Sequence, residues 1–367
     1  MNQSNIKPPK GGDGAVYKLK ALYESYGYSQ YKMSKFEEYD LYLRNKSFLV
    51  SNHIITFTDT DGKLMALKPD VTLSIVKNSP ESEVGVRKVY YDENVYRVPR
   101  GAISFKEIMQ AGLECIGEIN FYCIAEVLTL AAKSLRLVSE DFVLDVSHMG
   151  IVSALVDELR LSSQGEKALL DCIGAKNLHG IDSVCLSEGI EPERAKTLKA
   201  LVAMKGSVSE MLEILQGIAC FGDAVELADA LSALGEMGEK VRVDFSVTDD
   251  MKYYSGIVFK GFVKGIPTSV LSGGRYDNLM RKLGKESGAI GFAVYLDLLG
   301  ELEGEACEYD VDALVLYDDM SSSKELLALT DFLAESGNRV LTSRRIPDGL
   351  KYKELIDKRG GRENGNA

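Results

Sequence analysis

Apolar residues in this chain recur with two periods, and the switches between them divide it into parts. Val16, Leu19, Leu22, Tyr23 and Tyr26 step by three or four, which predicts a helix over 14–27. Strand-like segments follow. Residues 54–58 and 64–67 flank Thr60-Asp61-Gly62-Lys63, and Asp-Gly between two such runs predicts a hairpin. Val86 opens a further strand-forming stretch through Tyr91 and on to Val95-Tyr96. Residues 108–116 predict another strand, 121–137 a helix and 142–146 a strand. From about 150 to 238 the texture changes: Ala, Leu, Glu and Lys recur at helical spacing, as over 210–215, with no strand-like alternation. Strands resume at 241–245 and 256–262. Strand runs broken by a helical insertion predict an α+β fold on a mostly antiparallel sheet flanked by helices, spanning 1–300. Beyond a Gly/Glu-rich boundary at 300–305, the pattern of 311–316, 324–336 and 339–342 is β-α-β, a small αβ domain within 308–358. The polar end, 359–367, is expected to be disordered. No internal repeat is visible.

Bulk composition narrows the class. A chain of 367 residues has room for one large domain and a small one, and 45% hydrophobic with 27% charged residues is ordinary for a globular protein. No apolar run approaches the roughly 20 residues that cross a bilayer, and residues 1–10 contain no apolar signal core. A cytoplasmic protein without a membrane partner is expected. The net charge of −12 repels a phosphate backbone, so tRNA is not an expected partner. The six cysteines show no C-x-x-C spacing, and His53, His148 and His179 are far apart. No metal site and no cofactor are expected; buried free thiols are.

Candidate chemistry gathers in three short motifs. Binding a free amino acid needs an anion for the ammonium group, and a polar ring needs acids or hydroxyls facing its nitrogens. Asp70 and Thr72 in Leu67-Lys68-Pro69-Asp70-Val71-Thr72, Gln110 and Glu114 in Gln110-Ala111-Gly112-Leu113-Glu114, and the pair Tyr253-Tyr254 offer such groups. Each has an ordinary alternative. Asp70 and Thr72 could cap a helix starting at Thr72. Gln110 and Glu114 could be solvent-facing strand residues, and the two tyrosines sheet aromatics.

These motifs, in this order, resemble the histidyl-tRNA synthetases. The segment from Asp249 to Phe259 is similar to that family's histidine-binding signature, Ser272-Gly273-Gly274-Arg275-Tyr276-Asp277 to the entry of its third motif, and the other two motifs to its L-R-P-E-x-T and Q-x-G-V-E. The resemblance covers roughly 10–300 and, more loosely, 308–345. It implies a class II aminoacyl-tRNA synthetase fold and a histidine pocket. In that pocket Asp70 and Thr72 hold the ammonium, Gln110 helps bind the amino acid, Glu114 faces the imidazole, and Tyr253 and Tyr254 close the site. The activating chemistry departs from the family. Asp249 and Leu298 stand where the family has arginines, and Lys252 where it has aspartate. Pro99 breaks the second motif, in which Arg97 resembles the family's arginine. Developing charge on the α-phosphate needs such donors, so adenylation is expected to be lost, with Arg97 and Arg275 as vestiges of an ATP site. Arg275 could equally form a salt bridge that fixes its strand-to-helix turn.

Residues 259–293 are similar to one branch in particular: the regulatory subunit of ATP phosphoribosyltransferase, a non-catalytic paralogue of the synthetase. That resemblance implies a short-form catalytic subunit as partner, in a hetero-oligomer of hetero-octamer type, and histidine as effector of the first step of histidine biosynthesis. It also implies a self-dimer, with a first motif at 33–38 in which Ser34 replaces the usual proline. Two other readings compete: a divergent histidyl-tRNA synthetase and a stand-alone histidine sensor.

Overall fold

The computed structural model describes residues 12–46, 49, 53–79, 85–98, 103–204, 206–248, 253–299 and 309–360. They fall into two compact units, one within residues 15–299 and one that contains 309–360. Of the tail expected to be disordered, 361–367 lies outside the described residues.

The large unit is built on an eight-stranded sheet and also holds a small three-stranded one. Helix α1 (Gly12–Ser25) precedes β1 (Ser29–Gln30) and β2 (Phe36–Glu38). Helix α2 (Tyr39–Arg44) leads to the predicted hairpin, β3 (Thr56–Thr58) and β4 (Leu64–Leu67), with Gly62 at φ +85° in the turn. The left-handed backbone there is why glycine follows Asp61. After α3 (Thr72–Asn78) come two twelve-residue strands, β5 (Val86–Arg97) and β6 (Lys106–Gly117), then α4 (Phe121–Val138) and β7 (Phe142–His148). The helical insertion runs through α5 (Met149–Asp157), α6 (Ser163–Gly174), α7 (Leu178–Ser187), α8 (Lys196–Ala203), α9 (Val208–Leu215) and α10 (Phe221–Ser232). The chain then returns as β8 (Val241–Val243), β9 (Ile257–Val263) and β10 (Leu271–Arg275), and finishes with α11 (Asp277–Lys282), β11 (Gly288–Tyr295) and α12 (Leu296–Leu299).

Spatial order in the sheet is β1-β5-β6-β11-β10-β9-β7-β8. The six central strands pair antiparallel, and only the outer pairs β1–β5 and β7–β8 are parallel. Both faces are covered. Ala111, Leu113 and Cys115 of β6 point into a core shared with α4, α1 and the insertion. Ile116 points the other way, into a second cluster with Val71, Ile75, Val76, Tyr91, Leu279 and Met280. The chain spends most of its apolar residues on the first face. The second keeps room for polar groups.

The smaller unit holds β12 (Val311–Leu316), α13 (Ser323–Glu335), β13 (Val340–Ser343) and β14 (Tyr352–Asp357), a parallel sheet in the order β13-β12-β14. The last strand extends the β-α-β pattern read from the sequence. Among the described residues no helix is long and apolar enough to cross a membrane.

Candidate functional site

On the second face of the sheet lies a cavity of about 320 Å³, lined by Asp70, Thr72, Gln110, Glu114, Tyr253 and Tyr254 together. Residues separated by up to 184 positions reach it for local reasons. In β6 successive side chains alternate between faces, so Gln110 and Glu114 share one side while Ala111, Leu113 and Cys115 fill the core on the other. Asp70 and Thr72 sit where the chain turns from β4 into α3. The carboxylate Oδ1 of Asp70 accepts the Leu73 N–H at 2.7 Å, which satisfies one of the open donors of the helix start. Cap and cavity wall are the same side chain.

Glu114 is the centre of the polar network. It is 1% exposed, and it accepts hydrogen bonds from the Thr72 hydroxyl on Oε1 at 2.6 Å and from the Tyr276 hydroxyl on Oε2 at 2.5 Å. Burial pushes its carboxyl up to about 8, even though both hydroxyls pull the other way. Removal from water disfavours the ionised form, and here it outweighs the two hydrogen bonds that favour it. Asp70 is also raised by burial, with the Leu73 N–H and the Arg97 charge opposing the shift. The phenols of Tyr91, Tyr253 and Tyr276 are driven well above their ordinary range, chiefly by burial, and stay neutral.

Aromatic walls complete the cavity. The Tyr253 ring stands 4.8 Å from Tyr254 at 68° and 5.8 Å from Tyr276 at 46°. Arg97, the last residue of β5, lines the same cavity. Its guanidinium carbon is 5.9 Å from the Tyr295 ring centroid, a cation–π distance. Ser272 and Tyr295 share a 2.6 Å hydrogen bond on the same wall. Carboxyls, a guanidinium and phenols line this one space together, and its volume is at the small end for ligand pockets.

The positions expected to have lost their catalytic arginines divide differently. Asp249 lies outside the described residues, as do Lys252 and Pro99. Leu298, on α12, is half-buried against the main core. Arg275 is not among the cavity residues; its Nε donates to Asp277 Oδ2 at 2.8 Å. It therefore braces the turn from β10 into α11, the salt-bridge alternative read from the sequence.

Sequence reasoning passed over Tyr91, Ser272, Tyr276 and Tyr295. One signal was available. Gly112 and Gly291 interrupt strands, and strand glycines mark close approaches. A Cβ at Gly112 would stand 2.5 Å from the Tyr91 hydroxyl.

The sequence profile described as histidyl-tRNA synthetase matches residues 13–299. An ATP phosphoribosyltransferase regulatory subunit from Caldanaerobacter subterraneus subsp. tengcongensis is 31% identical over 290 residues, covering 76% of this chain and 75% of the relative. A histidine–tRNA ligase from Methanococcus vannielii is 28% identical over 358 residues, 91% of this chain and 84% of the relative. Among solved structures, an ATP phosphoribosyltransferase regulatory subunit/histidyl-tRNA synthetase from Bacillus halodurans superposes with a TM-score of 0.77 at 23% identity. That match covers 99% of this chain and 97% of the other, and at this identity it speaks for the fold.

Proposed function

This chain belongs to the histidyl-tRNA synthetase family and, within it, to the ATP phosphoribosyltransferase regulatory subunits; from that premise we propose that it carries no chemistry of its own, binds histidine, and sets the activity of a catalytic subunit of the short form. The observation that carries the reading is the convergence of Asp70, Thr72, Gln110, Glu114, Tyr253 and Tyr254 on one cavity, while the α12 position of an expected arginine holds a leucine packed on the core. Asp70 would take the ammonium group and Arg97 the carboxylate. The imidazole would lie against the Tyr253 and Tyr254 rings, with its nitrogens toward Glu114 and Gln110.

Control requires differential affinity. Histidine must favour one state of the complex, and couplings of this kind are typically about 1–3 kcal/mol. Assembly with the catalytic subunit, as a hetero-octamer around a dimer of this chain, is the quaternary arrangement we propose. The charge of −12 favours a protein partner over tRNA.

The test is phosphoribosyl-ATP formation by a short-form catalytic subunit, with and without this chain, across a histidine titration. Activity that depends on the chain and falls as histidine rises supports the proposal; no effect at any ratio overturns it. The 28% identity to a histidine–tRNA ligase favours one rival, a divergent synthetase. ATP–pyrophosphate exchange dependent on histidine would establish that rival instead.

A further inference from the structure

Away from the cavity, where the insertion meets the sheet, one imidazole and two carboxylates converge. His148 ends β7, and Asp223 and Glu226 lie about one turn apart on α10. One ligand-type atom from each lies within 4.8 Å of the other two. His148 is 4% exposed and its Nδ1 has no hydrogen-bond partner among the described residues. The nearest acid oxygen, Asp223 Oδ2, is 3.9 Å away, too far for a hydrogen bond. A buried ring nitrogen left open in this way is costly. It points at the acids.

We propose that His148, Asp223 and Glu226 form a binding site for one divalent transition-metal ion of the zinc type, with Nδ1 and one oxygen of each carboxylate as ligands and water filling the remaining position. Imidazole as a ligand disfavours Mg²⁺ and Ca²⁺, which take oxygen, and the absence of thiolate disfavours copper(I). Gly150 keeps the gap clear: a Cβ there would stand 2.7 Å from Asp223 Oδ2 and 3.1 Å from His148 Nδ1.

Arg275 is the competing cation. Its Nη1 is 3.8 Å from Glu226 Oε1, while its close bond is to Asp277. Two acids and one guanidinium leave a net negative charge that a divalent ion complements. Neither Asp223 nor Glu226 accepts a hydrogen bond from another described residue, so their oxygens are available. The ion would join the strand from which the insertion departs to the insertion's last α-helix, a staple across 75 residues of chain.

The experiment uses the full chain, stripped of metal with a chelator. Zn²⁺ binding is followed by calorimetry and Co²⁺ binding by its visible d–d absorption, in the wild type and in Asp223→Ala, whose side chain is 43% exposed and whose loss leaves the core intact. We expect one tight equivalent in the wild type, weakened by tenfold or more in the variant, since loss even of groups that merely orient metal ligands costs about 10–100-fold. Zn²⁺ should raise the melting temperature of the wild type and not of Asp223→Ala. Equal Zn²⁺ affinity in the two proteins, which would locate binding at cysteines or other histidines, overturns the proposal. So does the absence of binding by the wild type.

Discussion

Gly291 and Glu114 face each other in register across β11 and β6, and a Cβ on Gly291 would stand 1.8 Å from Glu114 Oε2. The strand glycine is what lets the carboxyl lie flat on the sheet and reach Thr72 and Tyr276. Gly291→Ala should therefore expel the carboxyl from its place and abolish histidine binding measured by calorimetry. Overpacking of this kind typically costs about 1–3 kcal/mol, so the melting temperature should fall too. Histidine affinity unchanged in a folded variant would remove Glu114 from the site.

The raised carboxyl of Glu114 makes a claim about pH. Its native value, about 8, lies above the ordinary 4.5, so between those values the folded state holds a proton that the unfolded state has released. Stability from this group is complete below the ordinary value and is lost as pH rises through 8. Without histidine, the wild type should melt at progressively lower temperature across that window, while Glu114→Gln, which cannot ionise, should show a flatter profile. Parallel profiles would mean that the group titrates normally.

Asp70 can be separated into its two roles. Asparagine caps helices about as well as aspartate, whereas loss of a cap to alanine costs about 0.5–2 kcal/mol. Asp70→Asn should keep the thermal stability and lose the negative charge proposed for the ammonium, lowering histidine affinity by tenfold or more. Asp70→Ala should lose both. If asparagine binds histidine as well as the wild type does, Asp70 is a cap alone.

How far the sequence could be read varied with the range of the interaction. The hairpin at Asp61-Gly62 and the long strands β5 and β6 are local, set by turn chemistry and alternation, and they appear where the pattern puts them. The strand β14 escaped notice because Lys351-Tyr352-Lys353-Glu354-Leu355-Ile356-Asp357 is charged and mostly exposed, as an edge strand can be. Of the site, the motif residues were legible because motif order carried them. Tyr276 belongs to the Ser272–Asp277 motif, yet its bond to Glu114 spans 162 residues and has no local signature. His148 and Asp223 are 75 apart on a strand and a helix, and no spacing rule links them.

Leu298 gives the sharpest test of the absence of chemistry. It is half-buried on α12 and packed against the main core, and its neighbour Asp297 holds the helix to β6 by accepting the Met109 N–H at 2.9 Å. An arginine there would have to bury a guanidinium among apolar groups or bend away to solvent, so Leu298→Arg should melt at a lower temperature. One charge-stabilising donor is worth roughly 10²–10³ in rate only when the other donors are preorganised around the same transition state. Arg275 is committed to Asp277 and is not among the residues that line the cavity, so a single restored arginine has too few companions. ATP–pyrophosphate exchange with histidine should stay at background in both the wild type and Leu298→Arg. Exchange that appears in the variant would mean that the site needs only this residue to act on ATP, and the reading of the chain as a regulator without chemistry would have to give way to that of a synthetase one substitution from activity.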